Sequence, residues 1–349
     1  LRIFNTAFLR VGALGLIGLV VTSTFSLGDY WLSVVNFAAI AAIAVLGLNV
    51  VSGDAGQISL GHAVFVGVGA YTAGWLGTDH GWPFPVVVVM GGAFAATFSL
   101  LVGPLALRLR GLYLAFSTLA LVFVGQHIFL NAESITGGSA GRSISSPTLF
   151  GAAMSETSDW FGVELRSQQK WFIVLTVVVG IVGIAIRNMQ RTRIGRAFNS
   201  VRDQDIAAST IGINVARVKT QAFVLSAFIG GVAGVFYGSY IRFVNPATFG
   251  LLLAVQYLAM AVVGGLGSVS GGILGALFIT AIPRMIDEWG AELPFVTTGL
   301  AAQQGLTPEL LSTLIYGAVV IAFLLFEPAG ITGVWRRIKQ YFRTWPFRY

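Results

Sequence analysis

The sequence predicts an all-α fold: a polytopic transmembrane helix bundle of about ten spans with broken, glycine-rich helices. Both termini are expected to be cytoplasmic. Three observations predict this. First, 56% of the 349 residues are hydrophobic and only 10% are charged, whereas soluble domains carry about 25% charged residues; mean hydropathy is +0.82. Second, apolar runs of span length recur along the whole chain. Third, the charges between those runs are sorted by sign. The polar stretches are too short for a separate soluble domain, so residues 1–349 read as one transmembrane domain.

A helix crosses a bilayer with about 20 mostly apolar residues. It also satisfies its own backbone groups, which lipid cannot do. The first run, 8–28, follows Arg2 and Arg10. No small-residue cleavage site is clear near "TSTFSLGDYW", so it reads as a retained span rather than a signal peptide. Runs follow at 33–51, 58–77, 84–107 and 112–130. An insert, 131–169, is expected outside the membrane, before the sixth run at 170–186. A polar segment, 187–219, leads to runs at 220–241, 250–264 and 269–286. A loop, 287–310, precedes the last run, 311–326, and the tail.

The loop charges orient these runs. Residues 187–219 hold Arg187, Arg191, Arg193, Arg196, Arg202, Arg217 and Lys219 against Asp203 and Asp205. The tail holds Arg336, Arg337, Lys339, Arg343 and Arg348, and Arg108 and Arg110 mark a short basic turn. The insert carries Glu133, Glu156, Asp159 and Glu164 against two arginines. The loop 287–310 carries Asp287, Glu288, Glu292 and Glu309 and no base. Ten spans place every basic segment inside and both acidic loops outside, as membrane insertion favours. The net charge of +7 is thus clustered in cytoplasmic loops. A lipid bilayer, not nucleic acid, is the expected partner.

Forty-four glycines form the next signal. Many lie inside apolar runs, as in "GVGAY" (67–71), "GGVAG" (230–234) and "GGLGS" (264–268). Small residues let helices approach closely in lipid. A second reading suits "GDAGQISLGH" (53–62), where glycines and polar residues interrupt an apolar region. Transporters break helices near the midplane so that freed backbone groups face a cavity. Gly53, Gly56, Ser59, Gly61 and His62 are therefore candidate path residues, with Gly267 and Ser270 downstream. Gly56, Ser59 and Gly61 share their spacing with Gly267, Ser270 and Gly272, a weak internal echo. The plain alternatives stay open: His62 as a hydrogen-bonded histidine near a helix end, and Ser59 and Thr72 bonding their own helices.

Several chemistries are excluded. With no cysteine there is no disulfide, thiolate metal site or cysteine nucleophile. Lys170, Lys219 and Lys339 are the only lysines and none follows a glycine, so no phosphate loop exists. His62, His80 and His127 are scattered without an HExxH pattern. No metal site or cofactor is expected, and the chain does not read as an enzyme. No Asp, Glu or Lys falls within the predicted apolar cores, which disfavours a proton-coupled carrier. An ion-coupled secondary carrier remains the competing class.

Five stretches carry a family resemblance. They are "GLNVVSGDAGQISLGHAVFVGVGAYTAGWL" (47–76), "LRLRGLYLAFSTLAL" (107–121), "ITGGSAG" (135–141), "IGRAFNSVRDQDIAASTIGINVARVKTQAFVLSAFIGGVAG" (194–234) and "VVGGLGSVSGGILGA" (262–276). Together, and in this order, they resemble the M-type permease subunits of branched-chain amino-acid ABC transporters. The resemblance implies an importer of the bacterial or archaeal plasma membrane. An H-type permease would complete the pathway, two cytoplasmic ATPases would power it, and an external binding protein would deliver the amino acid. Similar permeases serve urea, short amides or aromatic amino acids.

The resemblance also gives residues 202–214 a role. The family's coupling helix reads E-A-A-x-x-x-G. Ala207, Ala208 and Gly212 fit it, Ile206 stands at the glutamate position, and Asp205 lies one residue earlier. Arg202, Asp203, Asp205, Ala207, Ala208, Gly212 and Asn214 are the expected coupling residues. The small alanines would let the helix seat in a groove on the ATPase. Asp203 and Asp205 suit a helix N-terminus, and Gly212 suits a left-handed helix end.

Overall fold

The computed structural model describes residues 26–106, 111–160, 162–289, 308–327 and 329–344. The first apolar run up to residue 25, the Arg108–Arg110 turn and most of the 287–310 loop lie outside the described residues.

Helices occupy all nine later apolar runs. They are α1 (Asp29–Asn49), α2 (His62–Thr72), α3 (Phe84–Ala106), α4 (Leu112–Asn131), α5 (Ser167–Gln190), α8 (Val215–Ile241), α9 (Leu251–Gly264), α10 (Val269–Trp289) and α11 (Pro308–Phe326). Two short helices, α6 (Arg193–Asp203) and α7 (Asp205–Thr210), fill the polar segment, and α12 (Gly330–Thr344) forms the tail. Among the described residues, five helices are long and apolar enough to cross a membrane, beginning with Asp29–Asp54 and ending with Val215–Ile241. Shorter apolar helices run over Leu251–Gly264, Val269–Met285 and Thr313–Phe323. The structure is thus an all-helical membrane bundle.

Helices α1 and α8 form its centre. Both are apolar on every face along their middle stretches, and a helix hydrophobic all round must be enclosed. Side chains from Ile40 to Leu48 on α1 are buried. Glycine brings α2, α3 and α8 into backbone contact. A β-carbon on Gly69 would overlap the Gly231 carbonyl, and one on Gly234 would overlap that of Val66. Gly231 in turn lies against Gly91 of α3. Close packing is therefore the role of these glycines.

Two wide π-type turns continue α1 through Val50–Asp54 and α2 through Ala73–Asp79. The connecting residues 55–61 are largely non-helical. This break begins at one end of the bundle, where Arg202 of α6 donates to the Gly53 carbonyl at 3.2 Å. It runs inward to Gly61 and His62, which lie beside Thr118 of α4 and Ser226 and Gly230 of α8, well along those helices. At the end where it begins are α6, α7 and α12 and the turn 265–268, with their arginines and lysines.

The opposite end carries the acidic insert. Among the described residues its strands are short antiparallel pairs: β1 (Arg142–Ser143) with β6 (Phe243–Val244), β2 (Thr148–Leu149) with β3 (Ala152–Ala153), and β4 (Ser158–Trp160) with β5 (Val163–Leu165). Both arginines of the insert are engaged: Arg142 pairs with Asp79 and Arg166 with Asp29. Lys170 is fully buried beneath the hairpins and donates to Ala153 O at 2.8 Å and Ser158 Oγ at 2.6 Å. The surface charge left to the insert is mainly acidic.

Helix α12 was not visible as an element in the sequence. Its residues alternate bases with aromatics at helical spacing, and Trp335, Ile338 and Phe342 are exposed along one side. It is too polar to count as a span. Glu327 at its start pairs with Arg337 at 3.0 Å.

Candidate functional site

The residues picked out in the two glycine-rich segments and in the polar segment meet at the basic end. Asn49 is the link. Its Oδ1 accepts from Gly267 N at 3.2 Å, and its Nδ2 donates to Ser268 O at 3.1 Å. The turn 265–268 is thereby fastened to α1. Gly265 and Gly267 both have positive φ, a conformation that glycine adopts without penalty. Gly53 packs directly on the Gly267 backbone.

Arg202 closes the cluster from α6. Besides Gly53 O, its guanidinium holds Asp203 Oδ1 at 3.0 Å. Its side chain covers Gly56, whose φ is +66°. Asp54, 4% exposed, accepts from Gln190 Nε2 at 2.9 and 3.1 Å. A buried carboxylate needs such donors to offset its lost hydration. Two open cavities flank Arg202. One, of about 520 Å³, is bordered by Gly56, Gln57, Asp205, Ile206 and Lys219. The other, of about 660 Å³, is bordered by Arg187, Gln190, Gly267 and Ser270.

The remaining path candidates are placed differently. Ser59 is buried, and Gly61 lies against Thr118 and Leu121 of α4. His62 is 1% exposed, with Nδ1 3.4 Å from Ser226 Oγ and its ring edge-on to Phe65 and Tyr257. It is packed in the helix core. Thr72 bonds its own helix, donating to Val68 O at 2.7 Å.

Residues 202–214 form a compact bracket. Asp205 lies in the first turn of α7, as its charge favours. Asp203 instead ends α6, where Arg202 compensates it. Asp205 pairs with Lys219 of α8 at 3.4 Å. Gly212 has φ +87° and ends α7 as a left-handed residue should. Asn214 caps α8 by accepting from Arg217 N at 3.0 Å. The two alanines part company: Ala208 is 2% exposed and faces the chain's own bundle, while Ala207 is exposed. The outward face of the bracket is apolar, with Ile206 69% and Ile211 75% exposed.

Sequence reading missed Asn49, Gln190 and Lys219. Asp54 carried a signal, as a lone acid at the edge of an apolar run. The outward isoleucines carried one too, as large apolar residues in an otherwise polar segment.

An all-helical bundle of apolar helices, with a polar bracket clasped across one end, defines a multi-pass membrane protein. The chain belongs to the family of branched-chain amino acid transport system permease components, whose pattern matches residues 30–324. It is similar to the high-affinity branched-chain amino acid transport system permease protein LivM of Escherichia coli K12. The two are 29% identical over 345 residues, spanning 95% of this chain and 77% of that protein. LivM of Salmonella typhimurium is 30% identical over 83% of this chain and 67% of its own length. LivH of E. coli is 27% identical over 86% and 93% respectively. The likeness is thus higher to the M-type subunits. No solved structure matches the chain.

Proposed function

We propose that this chain is the M-type half of the membrane pathway of an ATP-driven importer for branched-chain amino acids in a bacterial or archaeal plasma membrane. An H-type permease forms the other half. Two cytoplasmic ATPases supply the energy, and an external binding protein delivers the amino acid. The observation that carries this reading is the match to both LivM and LivH along most of the chain. In this reading the bundle is one domain of about ten spans, with the termini, the 187–219 segment and the α6–α7 bracket cytoplasmic. The basic end then faces the cytoplasm, as loop charges favour. The insert 131–169 and the loop 287–310 face outward and receive the binding protein.

The bracket is the coupling element. Asp205, paired with Lys219, and Ala208, buried beneath α7, fix it to the bundle. Ile206, Ala207 and Ile211 form the surface offered to an ATPase. Arg202 carries motion of the bracket to the Gly53–Gly267 seam, where the candidate path residues Gly53, Gly56, Gly267 and Ser270 lie.

The test is uptake of labelled leucine, isoleucine, valine, phenylalanine and urea by the complete assembly in liposomes. ATP-dependent uptake of the three branched-chain amino acids is expected, and none by this chain alone. Uptake of urea without leucine would move the chain to another substrate class of the same family. Active uptake by the isolated chain would end the reading.

A further inference from the structure

A third open cavity, of about 280 Å³, lies away from the bracket and is bordered by α1, α8, α9, α10 and α11. Small-molecule sites begin at about 300 Å³, so its size suits a compact solute. Its wall divides into two chemistries. Leu253, Met260 and Ile279 give one apolar side. Tyr237, Tyr257, Thr280 and Arg284 supply polar groups. Tyr257 is 2% exposed. The Thr280 hydroxyl is buried and has no hydrogen-bond partner among the described residues. Buried polar groups in proteins are almost always hydrogen-bonded. The Arg284 guanidinium lies 5.3 Å from the centre of the Phe37 ring.

We propose that this cavity is a transit subsite for the zwitterion of an apolar amino acid. Arg284 takes the carboxylate, to which a guanidinium can donate twice. The hydroxyls of Tyr257 and Thr280 accept from the ammonium group. The side chain lies against Leu253, Met260 and Ile279. The proposal rests on the amino-acid reading above and adds a place within the chain where the solute pauses. Its chemistry requires both charges of a free amino acid and an apolar side chain. Amides and urea lack the carboxylate.

The experiment measures ATP-driven uptake of radiolabelled leucine by the full assembly, over a range of leucine-loaded binding protein. Arg284→Gln is expected to lower uptake at least tenfold, and Arg284→Lys to recover more than a third of it. Met260→Trp fills the cavity and should lower uptake at least fivefold. Tyr257→Phe, a conservative change, should lower it two- to fivefold. All four variants are checked for co-elution with the partner subunits, so that assembly failure is separated from lost transport. Wild-type uptake with unchanged rates in assembled Arg284→Gln and Tyr257→Phe would overturn the subsite alone. No leucine uptake by the wild type would overturn the amino-acid reading, and the subsite with it. Native mass spectrometry provides a further arm: a lipid retained by the wild type and lost in Met260→Trp, with uptake intact, would make the cavity a lipid site.

Discussion

Gly53 and Gly267 touch backbone to backbone, where the end of α1 meets the turn before α10. A methyl group on Gly53 would overlap the Gly267 nitrogen, and the two Asn49 hydrogen bonds keep that turn from retreating. Gly53→Ala is expected to destabilise the chain by roughly 1–3 kcal/mol, the usual penalty of overpacking. A lowered melting temperature in detergent would show it. An unchanged melting curve would mean that the seam is open in solution.

The outward isoleucines and the inward alanine should separate two kinds of failure. Ile206→Asp and Ile211→Asp place charge on the exposed face and should reduce co-purification of the ATPases at least tenfold. Neither should alter the melting of the chain itself, since both positions are solvent-exposed. Ala208→Arg forces a large cation under α7 and should melt the chain early, by roughly 1–3 kcal/mol or more. Loss of the ATPases in Ala208→Arg without any change in melting would mean that Ala208 faces outward.

Arg202 joins the bracket to the seam by one hydrogen bond to Gly53 O. As a hypothesis, Arg202→Gln should leave the ATPases bound and hydrolysing while solute uptake falls several-fold. The ratio of solute moved to ATP consumed is the quantity to measure. A ratio equal to wild type would remove Arg202 from the transmission.

Lys170→Met leaves Ala153 O and Ser158 Oγ without their donor. An unsatisfied buried group costs about 1–3 kcal/mol, here concentrated on the hairpins of residues 142–166. Limited proteolysis should cut that segment faster in the variant while the helical bundle stays intact. Equal cleavage rates would show that the lysine does not hold the hairpins.

Sidedness has a direct check. A cysteine replacing Glu156 is expected to react with an impermeant thiol reagent on intact spheroplasts, because the chain has no other cysteine. Labelling only after lysis would invert the topology.

The helices were legible in the sequence because lipid selects for length and apolarity, which a linear reading can count. Their ends were less so. Run 33–51 stopped short because Ser52 and Asp54 are polar, yet both lie in the buried π-type turn that extends α1. Run 58–77 started early because residues 58–61 look continuous with α2 but turn instead. Helix α12 escaped notice because a charged amphipathic helix resembles a tail. Residues 202–214 stood out, but the directions of Ala207 and Ala208 did not. Adjacent residues differ by about 100° around a helix, and only the packing shows which is covered. The meeting of Gly53, Arg202 and Gly267 brings together three distant segments, which no local pattern could announce.

The glycine contacts among α2, α3 and α8 have a mechanical consequence. Where backbone meets backbone there are no side-chain rotamers to rearrange and no slack to take up. Packed interfaces of this kind shift between discrete arrangements rather than yielding gradually. These three helices are therefore expected to move as one unit. Whatever swings during a transport cycle is expected to leave these three helices together.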